Sequence, residues 1–337
     1  MSTEPDRSAE PTLRAAGLSK WYGRVTALQD VSVHLGPGIW ALLGPNGSGK
    51  STLLHLAAGL LRPSLGQIRV CGLVPFGEPR ALRRVGLCPE ADALWNELTG
   101  LQTVATLAAL GGMRPAEARD RAVAALEAFG LRDAMERPVG SYSRGMRQRV
   151  KLAQAVVHDP DVLLLDEPLT GTDPASRHAI LEEVRRRAAR GALVLFSTHV
   201  LPEVEALTDR VLLLVRGRIV AQGRVHEIRD MLAEHPQRIH VVCDRPRALG
   251  ARLLEEPSVA GVRLLDEGLE VETREPEPTY RAVARALVEG GFELRSLTSP
   301  DATLEALFHH LVERGARMAG TGADPGVGRA RAGTGGP

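Results

Sequence analysis

An α/β core followed by a small α+β unit is the fold class this sequence predicts, and three features carry it. First, four short apolar runs, GIWALLG from Gly38, VGLCPE from Val85, DVLLLDEP from Asp161 and ALVLFSTH from Ala192, alternate with amphipathic helical stretches. Continuous apolar runs suit parallel strands covered on both sides, so the expectation is a mostly parallel sheet with helices on both faces. Second, strand signals stop between about Leu98 and Val157, where Met146, Val150, Ala153 and Val157 recur on one helical face; this reads as a helical subdomain set into a mixed sheet. Third, after about Asp230 the runs RIHVVCD, RALGARLLEE, GVRLLD, LEVETRE, PTYRAVARALVEGGF and ELRSLT give the order β-α-β-β-α-β, followed by a final helix over DATLEALFHHLVERG. That order suggests a ferredoxin-like module. The expected division is a disordered tail at 1–11, a core domain at 12–229 with its helical part at about 92–157, an accessory domain at 230–315 and a second disordered tail at 316–337.

Composition narrows the functional classes. With 337 residues, 44% of them apolar, the chain can bury a substantial core. A net charge of +1 argues against a polyanion as main partner, so nucleic acid is not expected. No apolar run approaches the roughly 18 residues of a membrane helix, and residues 1–11 are too polar for a signal peptide, which predicts a cytoplasmic protein. Cys71, Cys88 and Cys243 are odd in number and lack ligand spacing; they read as reduced thiols. Lysine occurs only at positions 20, 50 and 151 among 42 basic residues, so each lysine is informative.

The first chemical signal is GPNGSGKST, that is Gly44, Pro45, Asn46, Gly47, Ser48, Gly49, Lys50, Ser51 and Thr52, between an apolar strand and a helix. The pattern G-x-x-x-x-G-K-[ST] in that context lets backbone N–H groups converge on phosphate oxygens at a helix N-terminus. Lys50 is expected to reach the β- and γ-phosphates and Ser51 to ligate Mg²⁺. A plain glycine-rich turn is the alternative, but it would not call for one of three lysines at the key position. Asp166 and Glu167 close the run VLLLDEP at the carboxyl edge of a buried strand, where ligands of open α/β sheets bind. Asp166 is expected to hold Mg²⁺ through water, and Glu167 to act as general base on the attacking water.

A second basic, hydroxyl-bearing stretch, SYSRGMRQRV from Ser141, has no acid to balance its three arginines. Ser143 can cap the following helix, so its hydroxyl, the Gly145 backbone and the helix dipole form another anion-binding end. An ordinary N-cap would account for the helix but not for the surplus of donors.

Over 13–223, the order of phosphate loop, helical insert, SYSRGMRQ, LLLDEP, TGTDP and STH resembles the nucleotide-binding subunit of an ATP-binding cassette (ABC) transporter. The resemblance implies a P-loop NTPase cassette in which Ser143, Arg144, Gly145 and Met146 belong to the signature that closes over the nucleotide of a second copy or homologous cassette. It also implies that Asp173 lies in the D-loop, that His199 is the switch histidine contacting the γ-phosphate, and that Tyr22 stacks on adenine; core packing is the alternative for Tyr22. Two positions depart from the family pattern. Glu90 stands where the Q-loop usually has glutamine, putting a further carboxylate near Mg²⁺ and the γ-phosphate. Arg144 replaces the first signature glycine, and its side chain must either avoid the bound nucleotide or help neutralise it.

The function implied is ATP hydrolysis that powers transport, of the exporter-like kind, through separate polytopic permease subunits at the inner face of the cell membrane. The helical insert and the segment after Glu90 are the expected docking groove. Alternatives are a soluble ABC ATPase of translation or repair, which would usually carry two cassettes or a long coiled coil, and a small-molecule kinase, which would not need the signature.

Overall fold

The computed structural model describes residues 12–227 and 237–299. The two expected tails, the final helix over 301–315 and the 229/230 boundary lie outside the described residues.

Strands β1 (Leu13–Tyr22), β2 (Val25–Leu35) and β3 (Gly38–Leu43) lead into helix α1 (Lys50–Ala57), then β4 (Leu65–Val70), the short α2 (Pro79–Leu82) and β5 (Val85–Cys88). The helical insert follows as α3 (Gly100–Leu110), α4 (Pro115–Ala128) and α5 (Arg144–Val156). The chain then returns to the sheet with β6 (Val162–Asp166), α6 (Pro174–Ala189), β7 (Leu193–Thr198), α7 (Leu201–Leu207), β8 (Arg210–Val215) and β9 (Arg218–Arg224).

The central sheet has the order β5-β6-β7-β3-β8-β9, parallel except for the β8–β9 hairpin. All four apolar runs singled out in the sequence are adjacent strands here. Alternate residues sort to opposite faces, as a strand's period of two requires. Leu163, Leu165, Val194, Phe196, Ala41 and Leu43 join the core under the helical insert, where Val150, Ala153 and Val157 meet them and Met146 packs at the margin. Val162, Leu164, Leu193, Leu195 and Leu42 join a second core.

Helices lie on both sides of the sheet as expected, but on the second face the helix shares the cover with another sheet. That face is covered by α1 together with a separate antiparallel sheet of order β2-β1-β4. The strands of this sheet alternate, with Val31, Val33 and Leu35 inward and their neighbours exposed, so no continuous apolar run announces them.

In the C-terminal part, β10 (Gln237–Cys243), β11 (Val259–Leu265), β12 (Gly268–Thr273) and β13 (Leu294–Thr298) form an antiparallel sheet of order β11-β12-β10-β13. The helices Pro246–Leu253 and Pro276–Gly290 pack on it through Leu249, Leu253, Val283 and Leu287. The order of elements is that of a ferredoxin-like split βαβ.

Candidate active site

The loop between β3 and α1 is built by close approach. A Cβ at Gly44 would come within 2.2 Å of the Leu214 carbonyl oxygen, and one at Gly49, whose φ is +107°, within 2.4 Å of that of Ala27. The β8–β9 turn supports the loop from outside: the Gly217 N–H donates to the Ser48 carbonyl at 2.9 Å, and the Gln29 N–H donates to that of Gly217 at 2.8 Å. Nothing in the glycine-rich motif itself pointed to Gly217.

Lys50 folds back over this loop. Its Nζ donates to the Gly44 carbonyl at 2.9 Å and that of Pro45 at 3.3 Å, and stands 3.9 Å from Glu167 Oε1. Burial pushes its ammonium below the usual lysine value, and Glu167, Asp166 and Glu90, in that order, oppose the shift. Three of the carboxylates singled out from the sequence thus act on one lysine.

The end of β6 is held by Ser197 of β7. The buried hydroxyl of Ser197 donates to Asp166 Oδ1 at 2.6 Å and accepts from the Glu167 N–H at 3.0 Å. Glu167 adopts φ +47°, a left-handed conformation unusual for a residue with a side chain and found where surrounding structure over-determines it. Its side chain is only 8% exposed. Oε1 meets His199 Nδ1 at 2.9 Å, and Oε2 accepts from Thr170 Oγ1 at 3.3 Å.

Glu90 belongs to the segment after β5. Lys151 Nζ, nearly buried, donates to the backbone carbonyls of Pro89 at 2.9 Å and Glu90 at 2.8 Å and reaches that of Ala91 at 3.4 Å. The next residues are tied to α5 by Arg147, which forks onto both Asp92 oxygens at 2.5 and 3.0 Å and reaches Asn96 Oδ1 at 2.8 Å. Hydrogen bonding from Arg147 holds the Asp92 carboxyl below the usual value of 3.8. Glu90, Glu167, Thr170, Arg144 and Lys151 line a single cavity of about 340 Å³.

Ser143 is exposed and caps α5, accepting from the Met146 N–H at 3.3 Å. Gly145 is buried because Asp173 lies on it: an added Cβ would stand 3.0 Å from Asp173 Oδ2. Asp173 in turn caps α6 through the Ser176 N–H at 2.9 Å and the Ser176 hydroxyl, and these bonds hold its carboxyl below the usual range. Tyr22 is 48% exposed beside Lys20, whose Nζ lies 5.3 Å from the ring centroid, so core packing does not account for it.

The residues present fit a triphosphate. Ser48 Oγ is buried with no hydrogen-bond partner, Gly44 and Gly49 leave no room for a side chain where the loop backbone closes, and Lys50 lies at its mouth. Among the described residues no cluster of three His, Cys, Asp or Glu could hold a metal by itself. The carboxylates and hydroxyls here are the oxygen donors a hard ion such as Mg²⁺ takes, usually alongside phosphate oxygens and water.

The ABC transporter family matches residues 28–170. The daunorubicin/doxorubicin resistance ATP-binding protein DrrA of Streptomyces peucetius is 35% identical over 312 residues, 91% of this chain and 93% of that one. This chain belongs to the ABC transporter family. The Nod factor export ATP-binding protein I of Ralstonia nicotianae is also 35% identical, over 92% of this chain and 96% of its own. A solved structure of the ATP-binding subunit of an ABC transporter superposes with a TM-score of 0.61 at 32% identity, covering 65% of this chain and 92% of the other. The two sequence relatives thus span most of the ABC chain, whereas the solved cassette leaves about a third of it uncovered. This ABC subunit binds and hydrolyses ATP. Among the described residues no helix is long and apolar enough to cross a membrane.

Thr170, Ser197, Lys151, Arg147 and Gly217 are site residues that motif reading passed over. For Lys151 the rarity of lysine was a usable signal. Arg147 was one of the three unbalanced arginines of SYSRGMRQRV, without a partner assigned to it, and the remaining hydroxyls and hairpin glycine acquire meaning only from what they touch.

Proposed function

We propose that this chain is the ATPase motor of an exporter, working at the cytoplasmic face of the cell membrane as a pair of cassettes bound to polytopic permease subunits. The observation that carries the reading is the convergence of Lys50, Asp166, Glu167 and His199 beside the phosphate loop, with Ser143 exposed at the start of another helix. The names of the two relatives, which speak of drug resistance and Nod factor export, support the outward direction.

In this reading the loop Gly44 to Thr52 holds the triphosphate with its N–H groups, and Lys50 trades its two loop carbonyls for the β- and γ-phosphates. Mg²⁺ supplies charge neutralisation on the phosphate oxygens; Ser51 would hold it directly, with Asp166 and Glu90 acting through water. Glu167 takes a proton from the attacking water, kept in place by Thr170, His199 and the Ser197 bond to its backbone. His199 reaches the γ-phosphate, Tyr22 offers its exposed ring to adenine, and the signature faces the partner copy's nucleotide through exposed Ser143, followed by Arg144, Gly145 and Met146, with Gly145 next to Asp173.

We also propose that 12–229 forms the ATPase domain, with the helical subdomain at about 92–157, and that 230–315 is an accessory packing or dimerisation module. Permease docking fits the groove of α2, the α3–α4 turn and α5, lined by Leu82, Leu107, Leu110 and Met113, continuing to the Asp92–Asn96 segment that Arg147 anchors. The test is co-purification of the tagged chain from solubilised membranes with a protein of about six membrane helices, whose presence should stimulate its ATPase activity. Recovery only as a free ATPase indifferent to any membrane protein contradicts the transport role.

A further inference from the structure

Arg144 occupies the first position of α5, where a cation opposes the helix dipole and no acid in the first turn compensates it. Among the described residues it has no carboxylate in ion-pair distance, so neither helix stability nor a salt bridge explains it. Its side chain runs instead across Gly171, which sits at φ +71°. A Cβ added to Gly171 would meet Arg144 Nε at 2.5 Å, Cζ at 2.7 Å and Cδ at 2.8 Å, so the inner end of the guanidinium and its Cδ lie where a side chain of that residue would be. The neighbouring Thr170 is the residue that donates to Glu167 Oε2. Two positions after Gly171, Asp173 lies on Gly145. The turn 170–173 is thus pinned to the start of α5 at both ends, by the Arg144 side chain and by the absence of one at Gly145.

We propose that Arg144 is a positioning residue for hydrolysis: stacked on Gly171, it fixes the 170–173 turn to the signature helix and so sets the Thr170 hydroxyl that steadies Glu167. This rests on the shared-site reading above and adds a consequence to it. Whatever Ser143 meets in the partner copy moves the same helix start on which the chain's own general base is braced.

The experiment compares steady-state ATPase kinetics of the full chain carrying Arg144→Gly, Arg144→Lys, Gly171→Ala or the Arg144→Gly/Gly171→Ala pair, with Ser143→Ala in parallel. Arg144→Gly is expected to lower kcat about tenfold while KM shifts less than about twofold, with binding of a fluorescent ATP analogue at high dilution unchanged. Arg144→Lys should recover only part of the loss, because lysine lacks the planar group. Gly171→Ala displaces the side chain and should cost a similar factor, and the double variant should be no worse than the worse single one. Wild-type kcat in Arg144→Gly, full recovery by lysine, or losses that multiply in the double variant would overturn the proposal. If Ser143→Ala is also silent, the shared site itself fails; if only the Arg144 variants are silent, this inference alone does.

Discussion

His199 Nδ1 lies 2.9 Å from Glu167 Oε1, the same oxygen that Lys50 Nζ approaches to 3.9 Å. One carboxylate oxygen therefore links the residue assigned to bind phosphate, the residue assigned to take the proton and the residue assigned to sense the γ-phosphate. Glu167→Gln keeps the shape and removes the base. Hydrolysis should fall by roughly 10²–10⁴ while ATP still binds and traps a dimer, seen by steady-state turnover and by gel filtration with ATP. Normal turnover in that variant would remove Glu167 from the role.

Lys151 satisfies three carbonyls of the Glu90 segment from a nearly buried position. Lys151→Met leaves those acceptors without their charged donor, and should destabilise the fold by about 3 kcal/mol in urea unfolding. A change below about 0.5 kcal/mol would mean that the segment finds other donors.

Gly44 admits no side chain because the Leu214 carbonyl lies where its Cβ would be. Gly44→Ala should weaken binding of a fluorescent ATP analogue by about tenfold or more, since backbone must move to accommodate it. Gly47, with φ +76° but open space around it, should suffer from backbone strain alone and lose less.

The Arg147 bond to Asp92 carries a pH signature. Because the folded carboxyl titrates below 3.8, the link contributes stability that is complete above that value and is lost as pH falls through the lowered one. Asp92→Asn should flatten that part of the acid limb in a pH–stability profile and leave the profile near neutrality parallel to wild type. An unchanged acid limb would show that the link carries no stability.

Much of this was legible in the residues. The strands β3, β5, β6 and β7 are apolar runs because both their faces are covered, and Lys50, Asp166 and Glu167 stand where their motifs put them, at the carboxyl edge of that sheet. The β1–β2–β4 sheet was not read, since half of its residues face outward and its alternation is broken by register shifts at Ala15, Leu18 and Lys20. The β8–β9 hairpin was missed because its Arg216-Gly217 turn, although both φ values are positive, is not one of the Asn-Gly or Asp-Gly pairs that announce such a turn in sequence. Arg144 shows the limit most clearly: the sequence marked it as a departure, but only the fold shows that it lies on Gly171.

The central claim is that each ATP site is completed by a second copy of the chain. Lys50→Ala lacks a competent phosphate loop and Ser143→Ala a competent signature, so the most direct measurement is ATPase activity of each variant alone and of their mixture. The account predicts two nearly inactive preparations whose mixture turns over ATP, through the heterodimer that pairs the intact loop with the intact signature. A Ser143→Ala preparation that hydrolyses ATP at the wild-type rate by itself, or a mixture no more active than its parts, would contradict it.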